Sequence, residues 1–128
     1  MLFRSQGLRD ALPDAEVKRW GMHSEQIVDD PAYRELLTKQ LRECHGGMPD
    51  EAYERIYEAS MFRDEGMAKT IVSMLDRREA GQGQVVSYTG GGHIQQGLPV
   101  PARVQRRRSG SVAQTTVYMT SLERDHPE

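Results

Sequence analysis

Cysteine is nearly absent from this chain: Cys44 is the single thiol in 128 residues. That excludes an internal disulfide, and Cys44-His45 without a second cysteine is neither a zinc knuckle nor a thioether attachment motif. Cys44 therefore reads as a small buried apolar residue. Long apolar runs are also missing, so no transmembrane span is read, and Met1-Leu2-Phe3-Arg4-Ser5 carries neither a signal-peptide core nor a lipobox cysteine. Charge of one sign is not in excess: 17 basic against 19 acidic residues leave a net charge of −2, which gives no field for nucleic acid. What remains, 37% hydrophobic residues, suffices for one core, so residues 1–128 are expected to form a single domain.

The first two thirds carry helical patterning over about residues 13–80. Pro13, Asp14 and Glu16 suit a helix start, with Val17 and Trp20 as its apolar face and Gly21 as its end. Asp30-Pro31 opens a second helix, whose stripe Tyr33, Leu36, Leu37, Leu41 and Cys44 stops at Gly46-Gly47. Pro49-Asp50-Glu51 starts the longest element, running to about Arg78 with Tyr53, Ile56, Tyr57, Met61, Met67, Ala68, Ile71, Val72 and Leu75 on one face. At roughly 100° per residue, Asp64 lies about 20° from Tyr53, at the centre of that face. A carboxylate there needs a hydrogen-bond or ionic partner, because burying it alone is costly. The competing reading is a helix broken at Gly66, with Asp64 capping a new start.

Downstream the pattern changes. Val85-Val86-Ser87-Tyr88-Thr89 favours a strand and runs into Gly90-Gly91-Gly92-His93. Three glycines allow positive φ and a close backbone approach, and a histidine just past a strand end is where open α/β sheets gather ligands. Pro99 and Pro101 suit the first turn of a short helix ending near Arg106-Arg107-Arg108, a solvated, dipole-matched terminus or an anion partner. Residues 112–120 then read as a second strand. The expected fold is accordingly α/β: helices on a small, mainly parallel sheet, a right-handed strand–loop–helix–strand unit over 84–120, and a disordered tail at 121–128.

Two blocks make the chain resemble the ChaN-like haem-binding lipoproteins of the TIKI/TraB and erythromycin-esterase-like superfamily. Gly90-Gly91-Gly92-His93 is similar to the second of that superfamily's Gly-x-x-His motifs, followed by a Gly/Leu-x-Pro-x-Arg pattern in Gly97 through Arg103. Met61-Phe62-Arg63-Asp64-Glu65-Gly66-Met67-Ala68 is similar to the aromatic-x-Asp-x-x-Met-Ala block preceding it. The similarity covers about residues 13–107. The first Gly-x-x-His has no counterpart, since Gly21-Met22-His23 has the wrong spacing, so the chain looks like the C-terminal part of the family's domain.

The resemblance implies a haem-binding protein of bacterial iron uptake, set in the cell envelope by a lipid anchor, and not an enzyme. Its cofactor-contacting candidates are His93, Asp64, Gly90, Gly91, Gly92 and Arg103. Asp64, accepting from His93 Nδ1–H, would leave Nε2 free for a ligand or iron. Iron-ligand candidates are His93, Tyr57 and Tyr53, although core packing is the ordinary role for two tyrosines one turn apart. Met61, Met67 and Met74 read as core filler, and Ser60 as a hydroxyl bonded back to its own helix. Self-association into a homo-oligomer is expected to cover exposed strand edges. The rival classes are a metal-dependent hydrolase fragment, with His93 as ligand or base, and a non-catalytic dimerising helical module.

Overall fold

The computed structural model describes residues 27–78 and 83–119. The expected first helix, near residues 13–20, and the tail at 121–128 lie outside them. Among the described residues three α-helices form the frame: α1 over Pro31–Cys44, α2 over Asp50–Asp76 and α3 over Val100–Arg107.

Local chemistry sets the boundaries of α1 and α2. The Asp30 side chain accepts from the Tyr33 backbone N–H at 3.1 Å with Pro31 directly after it, so the cap supplies a partner that the first turn lacks. Pro49 precedes α2, and Asp50 and Glu51 set negative charge against the positive end of its dipole. α2 runs unbroken through Gly66. Its 27 residues span about 40 Å, the axis against which the other helices pack.

Among the described residues two apolar clusters hold these helices together. Tyr33, Tyr57 and Met61 pack with Ile27, Leu37 and Leu98, joining α1 to the first half of α2. Ala68, Val100 and Val104 pack with Met67, Ile71, Val72, Leu75 and Val112, joining α3 to the second half. Tyrosine hydroxyls tie the ends. Tyr53 donates to the His45 carbonyl at 3.0 Å, and Tyr57 lies 2.8 Å from Asp29 Oδ1 while accepting from the Asp30 N–H at 2.9 Å. Arg34 stacks 4.4 Å above the Tyr57 ring and pairs with Asp29 and Glu54.

The α/β expectation is overturned. Among the described residues there is no strand and no sheet, and neither residues 84–89 nor residues 112–119 take part in a backbone ladder. β-propensity makes a chain extended, but a strand also needs a partner. The apolar face of α3 that would have covered a sheet is taken by α2. Val86, Tyr88, Val117, Tyr118 and Met119 are consequently exposed. Cys44 is also exposed, contrary to expectation: the α1 residues in the core are Tyr33 and Leu37, in its first two turns, and Cys44 is its last residue.

Candidate functional site

Asp64 sits on α2 between the two apolar clusters, one turn from Met61 and one from Ala68, and is fully buried. The chain returns to it after 29 residues: His93 Nδ1 lies 2.6 Å from Asp64 Oδ1. An ionised carboxylate can only accept, so with Asp64 ionised and the imidazole neutral, Nδ1 is the protonated nitrogen and Nε2 the lone-pair one, on a partly exposed ring. The charge-assisted bond is short, as such bonds are.

The loop that presents His93 is built from two single 3-10 turns, Gly91–His93 and Gln95–Gly97. Gly90 is extended, and positive φ falls later, at Gln96 (52°) and Gly97 (73°), rather than in the triple glycine. The glycines serve the close approach instead. A Cβ on Gly91 would stand 2.6 Å from the Tyr118 hydroxyl, so the Tyr118 ring rests directly on that backbone. Beside it Ile94, Gln95, Gln96, Gly97, Thr116 and Tyr118 line a shallow groove of about 440 Å³. A larger hollow of about 520 Å³, among Glu35, Thr38, Lys39, Arg42 and Glu43 of α1, involves none of these residues.

Behind the histidine lies a buried polar cluster. The Tyr33 hydroxyl faces both Ser60 and Asp64, yet Asp64 Oδ2 has no hydrogen-bond partner of good geometry; the phenol and the carboxylate act on each other mainly through space. Burial, then the charge of Asp64, holds the Tyr33 phenol well above its ordinary range. Burial likewise raises the Asp64 carboxyl above the usual carboxylate value, against the lowering effects of His93, Tyr33 and Arg103. Arg103 is fully buried, donates to the Pro99 carbonyl at 2.9 Å, and lies 5.4 Å from the Tyr33 ring centroid.

The residue after Asp64 turns to another partner. Glu65, also fully buried, meets three guanidiniums from α3: Arg106 at Oε1, Arg107 at Oε2 with Nη2 at 2.9 Å and Nε at 3.2 Å, and Arg103 Nε at 3.3 Å from Oε1. The basic end expected to be solvated is therefore a clamp on α2, with Arg108 pairing to Asp76.

Of the residues singled out from sequence, His93 meets Asp64, Gly90 lies beside the His93 ring with Gly91 and Gly92 in the same loop, and Arg103 acts on Asp64 through its charge. Tyr53 and Tyr57 are held elsewhere, with their hydroxyls committed to His45, Asp29 and Asp30. Met61 is buried, Met67 accepts a weak contact from Thr89 Oγ1 at 3.7 Å, and Met74 is exposed. Among the described residues no three His, Cys, Asp or Glu side chains converge as a metal-holding group, and no helix is long and apolar enough to cross a membrane. Sequence reasoning missed Glu65 and Tyr33 as site residues. Glu65 stood inside the quoted block next to Asp64, whereas Tyr33 gave no signal beyond its helical stripe.

A family model described as haem-binding uptake, Tiki superfamily, ChaN matches residues 2–104. The chain belongs to that family. The match takes in both blocks that meet in space, the α2 segment carrying Asp64 and the loop carrying His93. No curated protein and no solved structure matches this ChaN-family chain.

Proposed function

We propose that this chain binds haem for uptake, with the ligand seated at the glycine loop and His93 Nε2 directed to it. The observation that carries the reading is the 2.6 Å contact between His93 Nδ1 and the buried Asp64, which fixes the ring and leaves Nε2 as the lone-pair nitrogen. The residues fit the group. The imidazole is partly exposed, the backbone at Gly91 admits an aromatic ring in direct contact, and unpartnered buried polar atoms of Asp64 and Arg103 lie behind. When bound, haem would supply an iron, which His93 would hold through Nε2.

Each chain residue has one task in this reading. Asp64 orients the imidazole and holds the Nδ1 proton. Gly90, Gly91 and Gly92 keep side chains out of the approach. Arg103 supplies positive charge beneath the site. Tyr53 and Tyr57, with hydroxyls already bonded, hold the helices that carry Asp64. The groove beside the loop is shallow, so one chain provides a single wall; the exposed Tyr88, Val117 and Met119 support a second copy of the chain as the other.

Titration of the purified protein with hemin tests this. A Soret shift saturating at one haem per chain or per dimer, and weakened at least tenfold in His93→Ala with the fold retained, is the expected result. Equal affinity of the two proteins would remove His93 from the site.

A further inference from the structure

The chain beyond α3 is held in two different ways. Its first part is fastened: Val112 packs against Ala68, Val100 and Val104, its carbonyl accepts from Gln105 Nε2 at 2.8 Å, and Gln114 Nε2 donates to the Pro101 carbonyl at 3.0 Å. Residues 115–119 are exposed, and among the described residues no hydrogen bond holds them. Their side chains alternate as an extended segment requires. Thr116 and Tyr118 line the groove opposite residues 94–97, while Val117 and Met119 stand 72% and 81% in solvent.

The outer edge of the Tyr118 ring lies on the Gly91 backbone, so close that a Cβ there would stand 2.6 Å from Oη, 2.7 Å from Cε2 and 2.8 Å from Cζ. Gly91 opens the 3-10 turn that ends at His93, so the ring covers the same backbone that presents the imidazole. With 59% of Tyr118 in solvent and no hydrogen bond beyond Gln114, releasing the ring costs little. The four residues after Gln114 span about 13 Å when extended, enough for the ring to clear the loop with the core unchanged.

We infer that residues 115–119 are a displaceable strap: the Tyr118 ring covers the glycine loop in the free protein and lifts to admit a planar ligand to it. The space left by the missing side chain of Gly91 takes one flat group at a time, and in the free protein that group is Tyr118. The fraction of molecules with the strap lifted then scales the apparent affinity. The identity of the ligand rests on the proposed function.

Two measurements on the full chain test it, with two variants. Tyr118 belongs to neither apolar cluster, so Tyr118→Ala keeps the fold and removes the ring; Tyr118→Phe keeps the ring. In the ligand-free protein, the Gly91 α-proton signals should carry a ring-current displacement that Tyr118→Ala abolishes and Tyr118→Phe retains. In stopped flow, Tyr118→Ala should take up hemin about fivefold faster than the native chain, the scale of one aromatic contact, with dissociation unchanged and Tyr118→Phe close to native. Gly91 signals indifferent to Tyr118→Ala, or an unchanged association rate, overturn the inference while leaving haem binding intact. Faster dissociation from Tyr118→Ala also overturns it, by making the ring a wall of the occupied site. Absence of hemin binding in all three proteins refutes the proposed function, and the strap's role with it.

Discussion

Replacing Glu65 by Gln keeps the size of a fully buried side chain and removes its charge. Three guanidiniums then lose this counter-charge. Arg103 is fully buried, while the partly exposed Arg107 and Arg106 can turn to water, so the cost falls mainly on Arg103. Breaking a buried ion pair by removing one partner typically costs about 3–5 kcal/mol. Against a domain stability of about 5–15 kcal/mol, that is a third of the total or more. Urea unfolding followed by far-ultraviolet circular dichroism should show a lowered midpoint with an unchanged slope, because the surface exposed on unfolding is the same. Replacing Glu65 by Leu together with Arg103 by Met should recover much of the loss, since well-packed apolar groups of similar volume substitute for a buried pair at little cost. A loss under about 1 kcal/mol in Glu65→Gln, the range of exposed pairs, would refute the view that this carboxylate clamps α3 to α2.

Tyr57→Phe removes the acceptor of the Asp30 N–H and should cost about 1–3 kcal/mol, measured by thermal unfolding. Asp30→Ala removes the α1 cap and should cost about 1 kcal/mol in the same assay. Asp64 is raised in the folded state, so its protonated form is favoured by folding: its contribution to stability is full below the ordinary carboxylate value near 3.8 and is lost as pH rises through the raised value. Asp64→Asn should flatten that part of the stability–pH curve, and an unchanged slope in the variant would contradict the assignment. Light scattering should give a mass above that of one chain at high micromolar concentration, since the extended, apolar segments around Tyr88 and Val117 are uncovered.

The legible part of this molecule was its helices and one buried acid. A 3.6-residue period placed Asp64 at the centre of an apolar stripe, and burial of a charge without a partner is expensive enough to predict that a partner exists. The same argument did not reach Glu65, because its three partners lie about 40 residues downstream on a helix whose basic end looks like any solvated terminus. The two β-rich stretches misled for a physical reason: Val, Tyr and Thr set a backbone that can be a strand, while pairing depends on what lies alongside. At the glycine loop, sequence gave the need for small residues, but only the resting place of Tyr118 on Gly91 shows which glycine needs it.

The central claim is that Asp64 holds His93 with Nε2 free for haem. Long-range ¹⁵N spectra of histidine-labelled protein, titrated with the diamagnetic gallium protoporphyrin, test it most directly. The account predicts that free His93 carries its proton on Nδ1, and that its Nε2 signal shifts and saturates with the porphyrin. A proton on Nε2 in the free protein, or saturation of binding with that signal unmoved, would contradict it.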